Sequence, residues 1–256
     1  MTDQAMALTF EHLHAELHEY ADHLVARSAR RSGRQTERLR AEIVGRFGPV
    51  RSFSDVRRFR LMVRRIARLR QAFWRTEARE IEKHLSGQVD HIMAGSAAIV
   101  AGMLIGPSAD EVAGMWQRPI DGRPFSEWVT VLAVAEARRI ETRLWRAAQA
   151  GEDAEMAVRQ ILRERQQLID LTGLVAMAAT NLSTQTFGLI VTKNQQIFSQ
   201  HERFVAVVDK NTTDLCEGLD GQIFPVGVGP SPPLHYGCRS GRFPVVLERG
   251  GGDRTG

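Results

Sequence analysis

From Thr9 to about Arg46, apolar residues recur every three or four positions, at Phe10, Leu13, Leu17, Tyr20 and Leu24. That spacing predicts an amphipathic helix. A break follows at Gly45, Gly48 and Pro49, and Ser54 then reads as the N-cap of a second helix. Its apolar stripe runs through Phe59, Met62, Val63, Ile66, Leu69 and Phe73 toward Leu85, and such a stripe requires a partner helix. Gly87, Gly95, Gly102 and Gly106-Pro107 punctuate an alanine-rich stretch that can still pack as helix through its small residues.

Asp121-Gly122 predicts a turn, and Ser126 a cap for a helix to Ala150. Beyond Gly151, Asp153 is placed to cap another helix that ends at Thr172-Gly173, with a further helical segment from Leu174 to about Gln200. The texture then changes. Phe204 to Val208 has the β-branched, apolar character of a buried strand, and Gln222–Val226 and Arg242–Leu247 read as two more. No internal repeat is present. The expected architecture is mainly α, a helical N-terminal body with a small α+β, turn-rich C-terminal module. Its divisions are an arginine-rich helical region over 1–95, a helical body over 96–202, the module over 203–248 and a disordered tail over 249–256.

Hydrophobic residues make up 43% and charged residues 25% of 256 residues, so the bulk of the chain is expected to fold. The longest apolar stretch, Ile99 to Ile105, is too short to span a bilayer, and the N-terminal residues have no basic flank before an apolar core. The formal charge of +4 matters less than its distribution. Between Arg27 and Arg70 fifteen arginines face three acids. Arg60, Arg64 and Arg68 fall at i, i+4, i+8 with Arg57 and Arg65 beside them, which makes one helix face a row of guanidinium groups. Like charges at that spacing repel by a few tenths of a kcal/mol per pair. Double-stranded DNA phosphates, an acidic protein partner or plain solvation each relieve that repulsion, and DNA contact here is expected to be non-specific, since no base-reading motif accompanies the row.

The two cysteines, Cys216 and Cys238, both lie in DKNTTDLCEGLDGQIFPVGVGPSPPLHYGCRS, Asp209 to Ser240, with His235 three residues before the second. Cys216, His235 and Cys238 supply three ligands suited to zinc, with a fourth from Asp209, Asp214, Asp220 or water. A disulfide, or buried thiols beside a hydrogen-bonded histidine, are the competing readings. Asp220-Gly221 predicts a tight turn with a positive φ, Pro232-Pro233 an extended approach that holds His235, and Phe224 with Phe243 a small core. No second cluster of histidines and carboxylates points to hydrolysis, although Asp209 with His235 mimics part of a metal nuclease.

Thr212, Thr213, Asp214, Cys216, Leu219, Asp220, Gly221, Phe224 and Pro225, followed by Pro232, Pro233, His235, Tyr236, Cys238, Arg239 and Ser240, resemble the signature of the phage Mu F-like head morphogenesis, or minor head, proteins. The resemblance covers roughly forty residues directly. Some relatives carry a Cys-x-x-Cys or a final Cys-Arg-Cys, where this chain has Leu219 and Ser240. It implies a low-copy, non-enzymatic virion protein of a tailed phage, prophage or gene transfer agent, assembled in the bacterial host cytoplasm. Such a protein acts with portal and capsid subunits in head assembly and DNA packaging or delivery, with multiple copies possible in one particle.

Overall fold

The computed structural model describes residues 3–47, 56–152, 156, 160, 166–208 and 212–246. The fold is mainly helical, with a three-stranded antiparallel sheet near the C-terminus. In chain order the elements are α1 (Asp3–Phe47), α2 (Val56–Ser86), α3 (Val89–Val100), α4 (Ala109–Met115), α5 (Phe125–Gln149), α6 (Gln166–Lys193), β1 (Phe198–Val205), α7 (Asp214–Leu219), β2 (Ile223–Pro225) and β3 (Gly241–Val246). Packing groups them into two compact units. One comprises Met1–Asp22, Ile81–Phe125 and Gly173–Gly256; the other comprises His23–Glu80 and Ser126–Thr172. Both are discontinuous in sequence, whereas the divisions at 95, 202 and 248 follow composition. The caps expected at Ser54 and Asp153, and the tail over 249–256, lie outside the described residues.

In the unit built on His23–Glu80 and Ser126–Thr172, α2 buries Phe59, Met62 and Ile66 against Ile140, Leu144 and Ala147 of α5. The ring of Trp145 lies 4.2 Å from that of Phe59. The stripe departs from its expected course one turn later. Leu69 is exposed, and Arg70 takes the inward position at 3% exposure. Its guanidinium makes a two-pronged contact with Glu136 of α5, Nη2 to Oε1 at 2.7 Å and Nε to Oε2 at 3.0 Å. Trp74 Nε1–H donates to the same carboxylate at 2.7 Å. Glu77, one turn beyond, accepts from Ser28 and from Arg31 of α1. Buried carboxylates survive in a dry interface when every oxygen is bonded in this way.

Ser126 does not cap α5, which begins one residue earlier at Phe125, so Ser126 lies in its first turn. In the other unit, the Asp121-Gly122 turn forms as expected, with φ of 48° and 75° and Ile120 N–H bonded to Arg123 O at 2.7 Å.

Thr172-Gly173 does not end a helix either, because α6 runs through it from Gln166 to Lys193. Gly173 serves packing instead: a methyl group there would collide with the ring of Tyr236. Helix α6 then stops at Lys193, well before Gln200. Asn194 closes it, its amide donating to Ile190 O at 2.8 Å and to Ile105 O at 2.9 Å. Because the helix stops early, β1 starts at Phe198 and ends at Val205, leaving Val207 and Val208 outside the strand. The sheet order is β2-β1-β3, with His201 opposite Pro225 and Phe204 opposite Arg242. Phe10 of α1 meets Phe187 of α6 edge-on at 5.6 Å, and Phe187 meets Phe243 of β3 at the same distance.

Replacing Arg70 by Met leaves the Glu136 carboxylate buried without its counter-charge, a change that costs about 3–5 kcal/mol. Urea denaturation is expected to show that loss, and a companion Glu136→Gln change is expected to recover part of it. A loss below about 1 kcal/mol would place the pair with solvent-exposed ion pairs.

Candidate metal centre

Cys216 is set by a short helix with a defined start. The Thr213 side chain accepts from Cys216 N–H, and the one-and-a-half turns of α7 bury Cys216 and Leu219 on one face. The Asp220-Gly221 turn ends the helix, Gly221 adopting φ 76° as the sequence predicts. Asp220 Oδ1 accepts from Ala206 N–H at 2.8 Å and Gly221 N–H donates to Phe204 O at 2.9 Å, which tie the turn to the end of β1. No helix or strand exists between Pro225 and Gly241. Arg242 organises the first part of that connection. Its guanidinium donates to Val228 O at 2.9 Å and Pro225 O at 2.8 Å while pairing with Glu202 at 3.0 Å, both charges being buried. Pro232 and Pro233 are buried, and the bond between them is cis, in place of the extended polyproline approach. Cys238 N–H then donates to His235 O at 3.1 Å, closing the turn that carries two of the three ligand candidates.

The ligand atoms of Cys216, His235 and Cys238 all lie within 4.8 Å of one another. Both cysteines are free and buried, with 3.9 Å between their sulfurs. Two thiolates on one tetrahedral ion, at metal–sulfur distances near 2.3 Å, stand about 3.8 Å apart, so the spacing fits a shared metal. His235 Nδ1 lies 3.1 Å from Tyr236 O. A carbonyl only accepts, so Nδ1 carries the proton and Nε2 keeps the lone pair that a metal takes. Burial pushes the Cys238 thiol above its ordinary value, as does neighbouring Cys216. That shift favours the thiol at Cys238, and a bound cation would favour its thiolate.

The expected fourth ligands fare differently. Asp209 lies outside the described residues, Asp214 is exposed on α7, and Asp220 is engaged with Ala206. Among the described residues only the three soft donors converge. The small core also differs from Phe224 with Phe243. Phe204, Cys216, Leu219 and Cys238 form it, with Phe224 at its margin. Phe243 instead meets His14 of α1 at 5.4 Å.

Around the ligand loop lies a buried polar layer that local sequence pattern does not reveal. His14 Nε2 donates to Arg239 O at 2.6 Å and its Nδ1 faces Ser183 Oγ at 2.8 Å. Thr180 Oγ1 donates to Cys238 O at 2.8 Å and stands 3.1 Å from His18 Nε2. Burial lowers the pKa of His14 to about 4, and burial also holds His18 well below the ordinary value. Burial raises Glu202 to about 7 against the opposing pull of Arg242.

The arginine row occupies the other unit. Arg57, Arg60, Arg64, Arg65 and Arg68 are all exposed, on the side of α2 opposite Phe59, Met62 and Ile66. Arg64, Arg65 and Arg68 line a groove of about 420 Å³ with Leu61 and Leu69. Helical rise places Arg60 and Arg68 about 12 Å apart along the axis. Such a row can meet several phosphates.

The histidine layer has a signed pH dependence. The folded state keeps His14 neutral and the unfolded state protonates it first, so its contribution is present above pH 6.5 and is lost as pH falls toward 4. Glu202 acts in the opposite sense: its raised pKa gives a contribution present below 4.5 and lost as pH rises toward 7. Comparing the protein with its His14→Gln variant separates the two. Urea denaturation at pH 7, 5.5 and 4.5 is expected to show the stability difference shifting by about 2 kcal/mol against the parent as acid is added. A difference independent of pH would mean that His14 is solvated.

Compared with protein-family models, curated proteins and solved structures, the chain matches none of them.

Proposed function

We propose that this protein is a non-enzymatic minor head protein of a tailed phage, prophage or gene transfer agent. It works with portal and capsid subunits during head assembly and DNA packaging or delivery. Zinc staples its C-terminal module through Cys216, His235 and Cys238, and the arginine face of α2 contacts double-stranded DNA without sequence preference. Its site of action is the virion head near the portal, reached by assembly in the bacterial host cytoplasm.

The reading rests on what the signature residues do. Cys216 and Leu219 fill the module's core, Asp220 and Gly221 make the turn back to β1, and Thr213 caps α7. Tyr236 packs on Gly173, and Arg239 pairs with Asp22 at 3.0 Å. Residues committed in this way hold shape, as a structural protein requires. Two thiols and an imidazole favour zinc over the hard cations that phosphodiester chemistry commonly uses. A site closed by a further protein ligand acts as a staple. The exposed arginines serve DNA because charge there binds phosphates by releasing counterions, in any sequence.

Elemental analysis of protein purified without chelator is expected to give one zinc per chain, and Cys216→Ser to abolish it. Removing the metal is expected to speed hydrogen exchange in 213–240. Two free thiols with no metal would overturn the staple.

For the DNA face, Arg60→Glu, Arg64→Glu and Arg68→Glu together are expected to abolish retention of duplex DNA at moderate salt. They are also expected to flatten the salt dependence by about 3 in the log–log slope. Unchanged retention would remove DNA from α2. Co-purification with the portal and capsid subunits encoded beside it tests the assembly role. Metal-dependent DNA cleavage that His235→Ala abolishes would establish instead a nuclease or effector built on Asp209 and His235.

A further inference from the structure

We infer that Thr180 and His14 are positioning residues for the metal centre: without touching the ion, they fix the two consecutive carbonyls, of Cys238 and Arg239, that follow the Cys238 side chain. This inference rests on the metal reading above and extends it to residues on α1 and α6.

The chain around Cys238 has no strand or helix to hold it. On its N-terminal side, the Cys238 N–H is fixed by His235 O at 3.1 Å, another ligand residue. On its C-terminal side, Thr180 Oγ1 donates to Cys238 O at 2.8 Å. Both peptide planes at Cys238 are thereby held, and with them the direction of its side chain. The next carbonyl, Arg239 O, accepts from His14 Nε2 at 2.6 Å.

Each positioning group is itself oriented. Thr180 spends its single proton on Cys238 O, so its oxygen faces His18 Nε2 as an acceptor at 3.1 Å. His14, donating through Nε2, presents Nδ1 as an acceptor 2.8 Å from Ser183 Oγ, whose one hydroxyl proton also faces Thr180 O at 3.1 Å. The His14 and His18 rings meet edge-on at 4.6 Å. Thr180 and Ser183 are one turn apart on α6, as are His14 and His18 on α1, so each pair lies on one helix face. All four are buried, the histidines at 3% and 6% exposure and the two hydroxyl residues at 0%. A buried layer whose members bond one another and that ends on the carbonyls beside a ligand has the form of an outer shell, which sets where the ligand stands before the ion arrives.

The test is titration of the full chain with cobalt(II), read by its thiolate charge-transfer band, then competition by zinc. Thr180→Val preserves shape but removes the hydroxyl; it is expected to weaken cobalt binding roughly 10–100-fold and to alter the band. Thr180→Ser, which restores the hydroxyl, is expected to stay within about threefold of the parent. The unfolding midpoint of each metal-free variant is measured alongside, because a merely structural role moves that midpoint and leaves the cobalt dissociation constant alone. Should Thr180→Val not fold, His14→Leu gives the same comparison from α1, with rescue by His14→Gln.

Parent-like affinity and band in Thr180→Val, or in His14→Leu where that variant is used, overturns the positioning role while leaving the metal centre intact. A parent protein that yields no thiolate–cobalt band overturns the metal centre itself, and this inference with it.

Discussion

Backbone carbonyls without a helix or strand to bond them govern the C-terminal module. Between Pro225 and Gly241 the chain has neither, yet part of it is buried, and a buried unpaired carbonyl costs about 1–3 kcal/mol. Side chains from elsewhere supply the donors: Arg242 from β3, Thr180 from α6 and His14 from α1. The cost of burying those donors is met by further polar partners, Glu202 for Arg242 and Ser183 for His14. The connection is therefore held by long-range polar bonds, and Cys216, His235 and Cys238 converge as one result.

Arginine has two roles here that composition alone cannot separate. Arg70 and Arg242 are buried and paired with carboxylates, each fixed by two or more bonds. Arg60, Arg64 and Arg68 are exposed on the outer side of α2. The energetic consequences are opposite. Breaking a buried pair strands a charge in a dry interface and costs several kcal/mol, whereas changing a solvated arginine costs the fold little. The exposed row can thus serve a ligand without compromising the packing of α2 and α5.

Local pattern revealed α1, the apolar face of α2 through Ile66, the Asp121-Gly122 turn, β2 and β3, because each is written within a few residues, whereas the first expected strand met β1 only at Phe204 and Val205. The Cys216, His235 and Cys238 grouping was legible for a different reason: soft ligands are scarce in this chain, and the motif is compact. Periodicity misled where a distant partner decided the outcome. Arg70 displaced Leu69 from the core because Glu136, 66 residues away, offers it a bidentate site. Gly173 read as a helix stop, yet its missing side chain makes room for Tyr236. The histidine layer was invisible for the same reason, since His14 meets its acceptor, Arg239 O, across 225 residues of sequence. An exposed face follows from its own spacing; a buried polar contact needs both partners.

The size of the module explains why a metal and a polar layer would operate together. β2 has three residues and α7 six, and four residues form the local apolar cluster, too few to stabilise the loop by burial alone. A structural zinc site contributes roughly 10–16 kcal/mol in small peptides that are unfolded without it. This module is not in that position, because Arg242, Thr180 and His14 constrain its backbone through bonds of their own. Less of the binding energy goes into ordering the chain, and more of it remains as affinity. The proposed metal then acts last, locking together thiols and an imidazole that the polar layer has already brought within reach of one another, so its loss should loosen the ligand loop without dissolving the sheet beside it.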